Sequence, residues 1–209
     1  MLVIDFNSGW ACHRLEEPGS SVPVSIPHDA MLAEPRHEMS AGGVNTGWFE
    51  GHDYRYAKTL TVPSDWANKT AILEFEGVYH NAEVWVNGKQ AAFRPYGYTN
   101  FYVELNPWLN YGEDNEISVI ARNADQPNSR WYSGAGLYRP VWLHLGPREY
   151  LPPNAVKVRT LSTDPPEVEI RVAAVGSGPV RLTAEGGGYT AQTVIPCVEG
   201  SIGAGGAVC

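Results

Sequence analysis

Asp125, Asn128, Arg130, Trp131 and Tyr132 fall within one short stretch, DQPNSRWYSGAG, that shows no regular apolar period. Arg130 offers a planar fork of donors, Asn128 and Asp125 offer acceptors, and Trp131 and Tyr132 offer flat apolar faces with a polar edge. A sugar suits this mixture. Its hydroxyls take paired polar partners, while the C–H face of a pyranose lies against an aromatic ring. The same residue types are enriched at protein interfaces, so packing against a neighbouring domain is a compatible second role. The glycines of YSGAG lack the Lys and following helix of a phosphate loop, and are expected to give the backbone unusual dihedrals.

Other chemistries find less support. Glycoside hydrolysis commonly uses two flanking carboxylates. Glu74 and Glu76 sit at i and i+2 of a strand and so point the same way, onto what should be a solvated face, and Glu167 and Glu169 have the same explanation. No catalytic residue is assigned. The six histidines are scattered without an i, i+4 pair, and the cysteines lack a Cys-x-x-Cys spacing, so neither a metal nor a cofactor is expected. His28 and Asp29, adjacent in SIPHDAML, are read as a turn-stabilising or packing pair.

The formal net charge of −8 would repel phosphate backbones, which argues against a nucleic-acid partner. Three widely separated cysteines, Cys12, Cys197 and Cys209, are odd in number and fit reduced thiols in a cytoplasm. The opening MLVIDFNSGW lacks the basic residues and apolar run of a secretory leader, and no apolar run is long enough for a membrane span.

The elements that must carry the stretch are short alternating segments. YRYAKTLTVP places Tyr54, Tyr56, Leu60 and Val62 on one side and Arg55, Thr59 and Thr61 on the other. KTAILEFEG alternates about Leu73 and Phe75, and AEVWVNGKQAAF alternates around an Asn87-Gly88 pair suited to a hairpin, so these segments are expected to be adjacent antiparallel strands. Helical signals are confined to one-turn pieces such as PSDWANK and NPWLNYGED. The pattern predicts an all-β protein: a jelly-roll sandwich over residues 1–146, then a Gly/Pro linker and an immunoglobulin-like sandwich over 147–209. Three strands are read in that second part, NAVKVRTL, PPEVEIRVAAV and GPVRLTAEG, too few for seven. The tail EGSIGAGGAVC offers no closing strand, which suggests a chain cut inside its second domain.

Five blocks in order carry a resemblance: VSIPHDAML, YRYAKTLTVPSDW, LEFEGVYHNAEVWVNGK, PYGYTNFYVELNPWLNYGEDNEISV and DQPNSRWYSGAGLYRPVWL. Together they resemble the N-terminal sugar-binding domain of glycoside hydrolase family 2, the β-galactosidases and β-glucuronidases, and PNAVKVRT is similar to the start of that family's second domain. The resemblance implies retaining hydrolysis of β-glycosides by a Glu pair on a following TIM barrel. A barrel needs about 250 residues, so neither Glu has a counterpart here and the chain alone is expected to be inactive.

The resemblance further implies that the first domain lends side chains to the substrate pocket. Asn128 matches a sugar-contacting position that holds a carboxylate in some members, Arg130 and Trp131 belong to the same block, and Asn45 in AGGVNTGW matches another substrate-facing Asn. PNSRWYSGAG is nearer to the galactosidase branch. The expected partners are a β-galactoside, the chain's own barrel and a second copy of the chain. A free-standing carbohydrate-binding module and a β-glucuronidase parent are the alternatives.

Overall fold

The computed structural model describes residues 1–186, 188–196 and 206–208. Ten strands form as far as Pro147: β1 (Leu2–Asp5), β2 (Trp10–Arg14), β3 (Val22–Val24), β4 (Tyr54–Thr61), β5 (Lys69–Phe75), β6 (Ala82–Val86), β7 (Lys89–Arg94), β8 (Phe101–Glu104), β9 (Asp114–Ala121) and β10 (Val141–Pro147). They make two sheets, one in the order β3-β2-β4-β9-β6-β7 and one in the order β1-β10-β5-β8. The long connections hold only short 3-10 turns, among them Ala30–Ala33, Gly43–Thr46 and Ser64–Asn68.

Alternation sets which side chains face inward. Along β4, Tyr54 and Tyr56 are buried while Thr59 and Thr61 are exposed, and the register pairs Tyr56 with Val119 of β9. Val84, Val86 and Ile117 from the six-stranded sheet meet Leu73, Phe75 and Leu143 from the four-stranded one in a single buried cluster. Each such side chain contributes roughly 1.5–3 kcal/mol through burial, which makes this shared core the main support of the sandwich. Asn87 and Gly88 both adopt positive φ and join β6 to β7, the hairpin their sequence predicts.

Strand pairing departs from the expected succession. β4 pairs with β2 and β9, whereas β5 crosses to the other sheet and pairs with β8. The 3-10 turn Ser64–Asn68, with Trp66 buried, makes that crossing. Period-two alternation reports which face of a strand is inward, and it carries no information about which strand lies alongside.

Glu74 also differs from expectation. Its side chain is only 14% exposed and is gripped by Asn100 Nδ2 (2.7 Å), Tyr102 Oη (2.9 Å) and His144 Nε2 (2.7 Å). Glu76 accepts from Trp142 Nε1 at 2.7 Å. The outer face of this sheet is therefore a ladder of cross-strand polar pairs, because long polar side chains on neighbouring strands reach one another over the pleat.

Backbone contacts divide the chain into Leu2–Leu145 and a second unit of Met1 with Gly146–Cys209. In the second unit β11 (Val156–Thr163) pairs with β12 (Pro166–Ala173), and β13 (Val180–Gly186) pairs with β14 (Tyr189–Ile195). β14 was not among the three strands read from the sequence. Gly206–Val208 pairs with β12, so part of the Gly/Ala tail does form a short strand. Cys197, Cys209 and the rest of that tail lie outside the described residues. The small core of this unit gathers Val172, Ala174 and Val180.

Candidate functional site

The connection from β9 to β10 carries the polar and aromatic stretch, and it is fastened at several points. At its start Asp53 Oδ1 accepts from the backbone N–H groups of Asn123 (2.9 Å) and Ala124 (3.0 Å). Arg122 bridges Asp53 Oδ2 (3.0 Å) and Glu83 Oε1 (2.9 Å). In the middle, Asn128 Nδ2 reaches Asn123 Oδ1 (2.9 Å), the Asp125 carbonyl (2.9 Å) and His80 Nε2 (3.1 Å), while its Oδ1 accepts from Tyr79 Oη (3.2 Å). Burial holds the His80 imidazole below its ordinary value, which favours the neutral ring that can accept that amide proton.

At the far end the backbones of Tyr79 and Gly136 exchange hydrogen bonds of 3.0 and 2.8 Å. Gly136 has φ +97, and a Cβ there would lie 2.0 Å from Tyr56 Oη, so a glycine is required. Asp29 closes the brace. Its Oδ1 accepts from the N–H groups of Met31 (3.1 Å) and Ala135 (2.9 Å), and its Oδ2 accepts from Tyr132 Oη (2.7 Å). Its neighbour His28 faces the core, with Nδ1 2.9 Å from Tyr56 Oη. The pair does stabilise a turn and pack, and Asp29 in addition ties that turn to the loop.

So held, the loop borders a cleft of about 470 Å3 lined by Arg36, Asn45, Phe49, Arg130, Trp131 and Tyr132. Trp131 is 59% exposed, and its Nε1 donates to Tyr98 Oη at 3.0 Å, which fixes the ring at the rim. The Tyr132 ring lies 5.9 Å from that of Phe49, and the Arg36 guanidinium sits 4.7 Å over Phe49. Burial, then the Asp29 hydrogen bond and charge, push the Tyr132 phenol up against the opposing pull of Arg36, so it is a fixed donor to Asp29 across the physiological range.

Of the residues predicted from sequence, Arg130, Trp131 and Asn45 share this cleft. Asn128 and Asp125 are not among its lining residues: the Asn128 amide is turned into the loop, and Asp125 is exposed, with its carbonyl accepting from Asn128. Sequence reasoning missed Arg36 and Phe49. They sit in a stretch without alternation, and only the backbone bridge between them, together with the turn Gly43–Thr46, brings it beside the loop.

Among the described residues no carboxylate lines the cleft, whose aromatic walls and cationic forks have the chemistry to hold a polar ring. The fold is an all-β sandwich that presents this aromatic and arginine-lined cleft on a braced loop. Residues 45–147 match the family described as the sugar binding domain of the glycosyl hydrolases family 2, and that part of the chain belongs to it.

A beta-galactosidase of Bacteroides ovatus is 39% identical over 148 residues, covering 66% of this chain and 17% of its own length. A beta-glucuronidase of Bacteroides fragilis is 29% identical over 183 residues, covering 78% of this chain and 24% of its own. A solved beta-glycosidase from Bacteroides vulgatus superposes with a TM-score of 0.78 at 27% identity, over 93% of this chain and 28% of that one. The chain thus spans less than a third of the length of each of these relatives. Among the described residues no helix is long and apolar enough to cross a membrane.

Proposed function

We propose that this chain is a non-catalytic N-terminal part of a β-glycosidase acting on terminal β-galactosides, and that its cleft supplies one wall of a substrate pocket completed by a catalytic barrel. Trp131 carries this reading. A large apolar ring held in the open by a hydrogen bond from its own N–H, beside an unobstructed Arg130, is the surface a pyranose stacks on. The higher identity to the beta-galactosidase supports galactose over glucuronic acid. Arg130, Trp131 and Asn45 touch the sugar in this reading, while Asn128 and Asp125 hold the loop in shape.

In the same reading the Leu2–Leu145 sandwich is a jelly roll, and the second unit belongs to an immunoglobulin-like sandwich. Pairing of two copies through sheet edges is a compatible assembly. A cytoplasmic setting accords with Cys12, a free thiol buried in the core.

The test is hydrolysis of a chromogenic β-galactoside by this chain alone and after mixing with a separately expressed family 2 barrel. The expected result is no turnover alone and recovery on mixing, reduced by Trp131→Ala. Turnover by the chain alone would overturn the non-catalytic assignment. A recovery indifferent to Trp131→Ala would overturn the pocket-wall role.

A further inference from the structure

The side-chain amide of Asn128 has more acceptors than hydrogens to give them. Its Nδ2 carries two hydrogens, and three acceptors lie within reach: Asn123 Oδ1 (2.9 Å), the Asp125 carbonyl (2.9 Å) and His80 Nε2 (3.1 Å). An amide nitrogen only donates, so the neutral His80 ring must offer Nε2 as a lone pair and keep its proton on Nδ1. On the other side of the amide, Oδ1 accepts from Tyr79 Oη at 3.2 Å. A proton added at His80 Nε2 sets two donors against each other. Turning the amide over relieves this, because Oδ1 then meets the new N–H while Nδ2 meets the Tyr79 hydroxyl, which can accept. The turned amide lets go of the Asp125 carbonyl and leaves Asn123 Oδ1 to Gln126 Nε2. Both orientations satisfy His80 and Tyr79, and only the first closes the loop.

The charges that face the ring do not override this choice. Asp53 and Asp125 favour the proton on His80, but Asp53 already serves the Arg122 guanidinium and two backbone N–H groups, Arg122 is shared with Glu83, and Asp125 is exposed. Burial outweighs both carboxylates and holds the imidazole below its ordinary 6.5. Burial also pushes the Tyr79 phenol up, so its hydroxyl stays neutral and serves either orientation of the amide.

We propose that His80 is a positioning residue for the sugar site and works as a proton-operated latch: neutral, it holds Asn128 in the orientation that closes residues 123–128, and protonated, it turns the amide and loosens the loop that carries Arg130 and Trp131. The inference rests on the sugar-binding reading above and adds to it a regulation of that site by pH. A bound glycoside favours the closed loop and hence the neutral ring. Affinity is therefore full while His80 is neutral, and it is lost as pH falls through the folded value, below 6.5.

Nitrogen-15 NMR of the 209-residue chain, titrated from about pH 7.5 to about pH 4.5 while the backbone spectrum stays folded, reads the latch without any ligand. The expected result is a proton on Nδ1 of His80 at the upper end, and one midpoint shared by the His80 ring, the Asn128 side-chain amide and the Trp131 indole N–H. His80→Gln keeps an acceptor and removes the titrating group, so it should hold the Asn128 and Trp131 signals constant. Calorimetric titration with methyl β-galactoside over the same range should show affinity falling at least about threefold with that midpoint, and staying level in His80→Gln.

A proton on Nε2 of His80 at the upper end, or an Asn128 amide that ignores the His80 midpoint, would overturn the latch. Spectra that move as expected while affinity stays level would overturn the positioning role. Spectra that move as expected with no glycoside bound at any pH would leave the latch standing as a device of the loop and overturn the sugar-binding reading beneath it.

Discussion

Tyr132 Oη donates to Asp29 Oδ2 at 2.7 Å across a separation of 103 residues, joining the loop before β10 to the turn that follows β3. The same carboxylate serves two backbone N–H groups, one on each side of the join. One acidic side chain therefore decides whether the rim of the cleft is preorganised.

Replacing Asp29 by Ala leaves three donors without their acceptor. The expected cost is about 1–3 kcal/mol of stability, read as a lower midpoint in urea denaturation. Tyr132→Phe removes one donor from a partly exposed site and is expected to cost less stability. A D29A variant as stable as the parent would show that water replaces the carboxylate without loss.

Trp131→Ala should separate binding from folding. The ring is largely exposed, so the melting transition is expected to stay within about 1 kcal/mol of the parent. Glycoside affinity should fall by about tenfold or more, as loss of a stacking face demands. Calorimetric titration and thermal denaturation of the same sample check both halves.

Gly136→Ala tests the backbone of the loop. The new methyl would collide with Tyr56 Oη at a φ of +97, so the loss is expected to reach about 3 kcal/mol. Tyr56→Phe in the same background should relieve part of it, and a double-mutant cycle measures how much.

Acid stability should depend on Glu74. Burial raises this carboxyl, but hydrogen bonds from His144, Tyr102 and Asn100 and the charge of His144 outweigh it, leaving it below its ordinary 4.5. A carboxylate lowered in the folded state stabilises fully above its unfolded value and loses that contribution as pH falls through the folded one. Glu74→Gln should therefore flatten the acid limb of the stability curve below about pH 4.5.

The half-buried imidazoles His28 and His80 act in a higher window. Burial lowers both from the ordinary 6.5. The unfolded chain then binds more protons, and stability declines as pH falls below that value. Chemical denaturation across the acid range separates the two windows.

The alternation about Tyr56, Leu73 and Val84, with turn residues such as Asn87-Gly88 between the runs, was enough to read an all-β sandwich from the sequence, because inward and outward faces repeat every two residues whatever lies next to the strand. The aromatic and cationic types of Arg130 and Trp131 likewise marked their loop as a candidate site, and both residues line the cleft. Partners were another matter: that β5 leaves β4 for the opposite sheet depends on which buried faces fit across the core. So does the cleft. Arg36 and Phe49 reach Arg130 only because distant hydrogen bonds, Asp29 to Tyr132 foremost, close the loops upon each other, and the same closure turns Asn128 inward to hold its own loop. Local periodicity is written in neighbouring residues, whereas a site assembled from segments a hundred positions apart exists only once the chain has folded.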